Sequence, residues 1–162
     1  MKNSIANLPV LRLFDQSLPV LLSVDANMGV GAVLLQNGQP LEFELRNLTD
    51  TQQQYAQIEK EVLTVLFGLQ RFHQYVYGQT VIVETDHKPL LGIVNKAIML
   101  CSPRIQRMRL LLHTYEFNLV YKPGKELHIA DALSRAPEVR QFVDDSSRFS
   151  DEMLTCWFCQ KF

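Results

Sequence analysis

The sequence predicts an α/β fold on a five-stranded mixed sheet with helices on its faces, and three stretches carry that expectation. Residues 20–46 read as three consecutive antiparallel strands, with Asn37-Gly38 as a two-residue hairpin turn between the second and third. Residues 52–77 keep helical periodicity up to Gly78, which ends it. Val81-Ile82-Val83-Glu84-Thr85 is a β-branched run of strand length, and Pro89 behind it suits the first turn of a helix.

Residues 1–18 are broken by Pro9 and form a lead-in, with Pro19 just beyond it. Val20 to Asp25 reads as a buried strand ending in a carboxylate, and Gly29 to Gln36 as its antiparallel neighbour. Leu41 to Arg46 alternates strictly, which predicts one wet face and an edge position. Thr49, Asp50 and Thr51 offer caps for the long helix, on which Ile58, Glu61, Val65, Gly68, Leu69 and Phe72 share one apolar stripe at 100° per residue. Glu59 points elsewhere, and Gly68 lets the helix approach the sheet. A short helix is expected over 87–94, then a loop with Cys101 and Pro103 and a second helix over 104–113. A fifth strand follows over 115–122, Pro123-Gly124 turns, and a last short helix covers 127–135. Beyond Pro137 the composition shifts to Asp, Ser and Arg, as expected for a disordered tail over 138–162.

Composition narrows the function class. With 162 residues, 47% hydrophobic and 20% charged, the chain suits one globular domain. No apolar run reaches membrane-spanning length and no signal peptide is recognisable, so the expectation is an intracellular protein with no membrane partner. Cys101 stands alone, and Cys156 and Cys159 lack the second pair that a zinc site needs, so all three read as free thiols. A net charge of −1 supplies no basic excess for nucleic acid. Any such contact must come from a partner or from local cations, for which Lys88, Arg104, Arg107, Arg109, Lys122 and Lys125 are candidates, with His87 beside them.

Four acids stand out by position. Asp25 and Asp86 fall at strand ends, Glu61 lies within an apolar helix stripe, and Asp131 sits between two alanines that leave room for it to face inward. A plain helix cap is the alternative for Asp86. A buried carboxylate is costly unless paired or metal-bound, and a cluster of them repels itself until divalent cations or protons relieve it. Mg²⁺ prefers a few carboxylates with water and phosphate oxygens, and two such ions can stabilise both the attacking and the leaving oxygen of phosphodiester hydrolysis.

The stretches SVDA, GVGAVLLQ, YAQIEKEVLTVLFGLQRFHQYVYG, VETDHKPLLGI, PRIQRM, YEFNLVYKPGKE and ADALSR, in this order over residues 19–137, resemble the ribonuclease H domain of Gypsy-type long-terminal-repeat retrotransposon reverse transcriptases. The resemblance implies the sheet order 3-2-1-4-5 and a metal-binding, catalytic set of Asp25, Glu61, Asp86 and Asp131. It also implies two Mg²⁺ or Mn²⁺ ions, and hydrolysis of the RNA strand of RNA/DNA hybrids. Residues 1–18 resemble the segment joining polymerase to this domain, so a reverse transcriptase polymerase domain in a parent polyprotein is the implied partner. A catalytically silent retroelement remnant that binds nucleic acid or protein is the alternative.

Two departures from the family pattern bear on the fold. The interval between Asp25 and Gly29 is one residue short, so the first hairpin is expected to tighten or to shift its pairing. Glu42 and Glu44 stand where the family has small residues. His128 lies too near Asp131 to match the flexible histidine of retroviral and cellular relatives and reads as a surface helix residue.

Overall fold

The computed structural model describes residues 13–26 and 29–124. Five strands, β1 (Leu21–Ala26), β2 (Gly29–Gln36), β3 (Gln39–Asn47), β4 (Val81–Thr85) and β5 (Phe117–Tyr121), form one sheet in the order β3-β2-β1-β4-β5. The first three are antiparallel neighbours, while β4 pairs in parallel with β1 on one side and β5 on the other. This is the expected mixed sheet, in the expected order.

Asn37 (φ 50°) and Gly38 (φ 73°) both adopt left-handed backbone, which a tight two-residue hairpin needs. The short interval after Asp25 has not slipped the pairing: Asp25 stands opposite Gly31 and Ala26 opposite Val30. Burial locks that register, because Leu22, Val24, Val30, Ala32 and Leu34 all fall in the principal core, and a one-residue slip would turn each of them over. Along β3, Leu34 faces Glu42 but Leu35 faces Pro40, so Leu41 is an extra residue in a bulge at the sheet's edge. Glu44 is accommodated there by Arg71, whose Nε donates to Glu44 Oε1 at 2.6 Å.

The helices are α1 (Asp50–Gln53), α2 (Gln57–Arg71), α3 (His73–Val76), α4 (Pro89–Asn95) and α5 (Pro103–Leu112), with a 3₁₀ turn over Ile98–Leu100. The single helix expected over 52–77 is therefore three. Local chemistry overrides the periodicity at both breaks. Thr49 and Gln52 cap one another reciprocally and close α1 as a separate turn, and α2 starts afresh with Ala56 N donating to Glu59 Oε2 at 3.3 Å. Phe72, fully buried, leaves helical geometry at ψ 25° and so ends α2. Pro89 and Pro103 each occupy a first helical turn, where a missing N–H costs nothing. Pro103 thus begins α5 and is not in the preceding loop; Ser102 Oγ caps it, accepting from Ile105 N at 3.4 Å.

The core lies between the sheet and α2. Val62, Val65, Leu66, Leu69 and Phe72 are almost wholly buried against Leu22, Val24, Ala32 and Leu34. Gly68 is the point of closest approach: a Cβ built there would lie 3.1 Å from both Ala32 Cβ and Leu22 Cδ2. Gly68→Val is expected to push the helix off the sheet and to lower stability by about 1–3 kcal/mol, the usual cost of overpacking. Urea unfolding measures it, and an unchanged midpoint would mean that the contact yields freely.

Gln36 is fully buried and pins the lead-in. Its Oε1 accepts from Asp15 N at 3.0 Å, and its Nε2 donates to Asp15 O at 2.8 Å and Leu18 O at 3.0 Å. Residues 1–12 of the lead-in, the helix expected over 127–135, the tail over 138–162 and the Cys156/Cys159 pair lie outside the described residues. Among the described residues no helix is long and apolar enough to cross a membrane.

Candidate active site

β1 and β4 run side by side in the same direction, with Ser23 opposite Glu84. Asp25 and Asp86, each two residues further along its chain, therefore emerge at the same rim of the sheet. Asp86 follows the last residue of β4 and precedes α4, yet it does not cap that helix. The N-cap position belongs to Lys88 and carries no side-chain cap bond, which removes the plain-cap alternative. The turn is held instead by Thr85, whose Oγ1 accepts from His87 N at 3.1 Å. Gly124 backs Asp86 closely: a Cβ there would lie 3.1 Å from Asp86 Oδ2.

Glu61 reaches this rim from α2. It is 3% exposed, as the helical stripe requires. Gln57, one turn earlier, donates through Nε2 to Glu61 Oε1 at 2.8 Å and to Ala26 O at 3.2 Å. Glu61 Oε2 is buried and has no hydrogen-bond partner. Burial, reinforced by the negative charges of Asp86 and Asp25 and partly opposed by the Gln57 hydrogen bond, pushes the Glu61 carboxyl up to about 7. Asp86 and Asp25 thus both lie close enough to act electrostatically on Glu61. Among the described residues, however, no three Asp, Glu, His or Cys side chains close around a single point. Asp131, the fourth acid, lies outside the described residues.

The raised Glu61 value makes stability depend on pH. Because the folded protein holds this proton more tightly than the ordinary value of 4.5 implies, the associated stability is complete below about pH 4.5 and is lost as pH rises through about 7. The span corresponds to about 3 kcal/mol. Metal-free protein is expected to melt at lower temperature at pH 8 than at pH 5, with the Glu61→Gln variant showing a flatter profile. Parallel profiles for the two proteins would show that Glu61 keeps its charge in contact with water.

Glu59, two residues away, is held on another side. Burial alone would raise its pKa, but hydrogen bonds from Arg104, Ser102 and Ala56 N outweigh burial and hold the carboxyl below its ordinary value. Arg104 Nη1 lies 2.7 Å from Glu59 Oε2, Ser102 Oγ lies 3.1 Å from Oε1, and the guanidinium stacks 3.9 Å above the Tyr55 ring. Arg104, a candidate phosphate contact, is thus already engaged in tying α5 to α2. Arg109 is likewise taken up by the carbonyls of Val94 (2.8 Å) and Lys96 (2.6 Å), and Lys122 by Glu84 (3.2 Å). Lys88 and Arg107 are exposed, and Lys125 lies outside the described residues. His87 Nδ1 stands 4.0 Å from Glu61 Oε1, beyond hydrogen-bond reach but close enough to pair when protonated.

Comparison with known proteins decides the family. Residues 15–115 match the model of the RNase H-like domain found in reverse transcriptase. The chain belongs to that family. The relatives of this RNase H-like domain include the Drosophila melanogaster Pol polyproteins of transposon 297, 38% identical over 145 residues, and of transposon gypsy, 37% identical over 128. The chain matches over 89% and 78% of its own length but spans only 14% and 12% of theirs. Among solved structures it resembles the foamy viral protease-reverse transcriptase in complex with RNA/DNA hybrid, with a TM-score of 0.58 at 16% identity over 69% of this chain and 16% of that one. It also resembles RNase H1 from Halobacterium salinarum, with a TM-score of 0.53 at 16% identity over 71% of this chain and 93% of that one. These likenesses establish the fold.

The residues of this RNase H-like domain suit a divalent cation. Carboxylate oxygens are the hard donors that Mg²⁺ takes, and Glu61 Oε2 is a buried acceptor left without a partner. Sequence reasoning overlooked Gln57. Its spacing of four residues from Glu61 on one helix is the signal that marks the two as neighbours.

Proposed function

We propose that this chain is the ribonuclease H domain of a Gypsy-type Pol polyprotein and hydrolyses the RNA strand of RNA/DNA hybrids, leaving a 3′-hydroxyl and a 5′-phosphate. The observation that carries the proposal is the orphaned Glu61 Oε2, buried at the rim where the strands bearing Asp25 and Asp86 end, in a chain of this family. Asp25, Glu61 and Asp86 would hold the metal, with Asp131 as the fourth member of the set. Bound Mg²⁺ or Mn²⁺ would supply an activated water and stabilise charge on the leaving oxygen. The chain's own part is to hold these carboxylates in place: Gln57 restrains one oxygen of Glu61, Thr85 fixes the turn that carries Asp86, and the β1–β4 pairing sets the spacing of the two aspartates. Lys88 and Arg107 offer exposed charge for phosphates, with Lys125 added from the sequence, and preference for RNA would rest on contacts to 2′-hydroxyls.

The test is cleavage of an end-labelled RNA/DNA hybrid with Mg²⁺, with Mn²⁺ and with chelator, beside a DNA duplex of the same sequence. Metal-dependent cutting of the RNA strand alone is expected, with binding that weakens steeply as salt rises. Hybrid binding without cutting in either metal would favour the silent remnant.

A further inference from the structure

Gln57 is the side chain that joins two parts of the rim. It opens α2, is itself exposed, and uses one amide nitrogen twice: toward Ala26 O at the end of β1, next to Asp25, and toward Glu61 Oε1 one helical turn on. Without it, nothing among the described hydrogen bonds ties the Glu61 carboxylate to anything, since Oε2 has no partner. A glutamate has three side-chain torsions, so a restraint on one oxygen decides where the other points. The contact also spans 31 residues of chain, from helix to strand, and so bears on the separation of Glu61 from Asp25 as well as on the Glu61 rotamer.

We propose that Gln57 is a positioning residue for the metal site: by holding Glu61 Oε1 against the end of β1, it aims Oε2 at the cation and sets the distance between the Glu61 and Asp25 carboxylates. The inference rests on the metal-dependent nuclease reading given above. The role needs an amide donor at the end of a side chain of this length. Methionine has the length but no donor; asparagine has the donor but is one methylene short.

The test is Mg²⁺ titration read by thermal melting, without nucleic acid, for the parent, Gln57→Met and Gln57→Asn, and by hybrid cleavage across the same Mg²⁺ series. Both variants are expected to fold, because the side chain is exposed, and to melt within a few degrees of the parent in chelator. Both should need about tenfold more Mg²⁺ for half of the maximal stabilisation, on the scale of one lost hydrogen bond to a charged group. Cleavage should shift along the Mg²⁺ axis by a similar factor and recover at high metal, whereas a general loss of structure would lower the plateau without moving the midpoint. A parent that responds to Mg²⁺, with both variants sharing its midpoint, would overturn the role of Gln57 and leave the nuclease reading intact. A parent whose melting ignores Mg²⁺ would overturn the metal site and this role with it.

Discussion

Glu61→Gln is expected to abolish hybrid cleavage, by ~10³-fold or more, while Glu59→Gln keeps most of it. The size follows from removing a metal ligand: several kcal/mol of transition-state stabilisation is lost, and each 1.4 kcal/mol or so is about tenfold in rate. The two residues differ by two positions on one helix, yet their surroundings are unlike. Glu61 faces the rim with a bare buried oxygen, whereas both oxygens of Glu59 are spent on Arg104, Ser102 and the start of α2. Glu59→Gln should therefore be read out in stability. Arg104 is nearly half exposed, so the loss should be modest, about 1 kcal/mol, seen as a lower urea midpoint with cleavage retained. Equal losses of cleavage in two well-folded variants would show that the site draws on the other face of α2.

Asp86→Asn should also abolish cleavage, and here the melting behaviour matters as much as the activity. The substitution conserves volume and removes one of the charges that press on Glu61. In chelator the variant should be as stable as the parent or more so, by ~1 kcal/mol, the scale of a unit change in pKa. In millimolar Mg²⁺ the order should reverse, because only an intact site gains stability by binding metal to the folded state. Thermal melts of both proteins, with chelator and with Mg²⁺, supply the comparison. Two proteins that respond alike to both conditions, with cleavage retained, would remove Asp86 from the site.

Strand types, their order along the chain and the placement of Glu61 were legible because each is written in local pattern. β-Branched runs and the Asn37-Gly38 turn mark strands, and a single acid in an apolar stripe marks a residue turned inward. The edge position of β3 was legible in its alternation. What stayed hidden was set by contacts between distant residues or by caps a few atoms across. Periodicity runs unbroken through residues 52–77, but the Thr49–Gln52 cap and the burial of Phe72 divide the segment. Arg104 looks like any surface cation until Glu59 and Tyr55 are found beneath it. The bulge at Leu41 arises from a register between strands, which no single-strand pattern carries. Gln57 had the right spacing from Glu61, but its second partner, the carbonyl of Ala26, belongs to another strand.

The parallel pairing of β1 with β4 has a bearing on how the domain is made. Leu21 meets Ile82, and all of β2, β3 and α2 lie between them in the chain. Contacts of that sequence separation close large loops and form slowly. As the polypeptide leaves the ribosome, β1, β2 and β3 can join as a meander while β4 is still unsynthesised. The strand that ends up central in the finished sheet is, until then, an open edge lined by Leu22 and Val24. Unlike the permanent edge β3, which carries a bulge, a proline and charged residues along its length, β1 has neither bulge nor proline and only Asp25, near its end, as a charge. Truncations that stop short of Val81 leave that edge bare, and self-association of such fragments is the natural consequence.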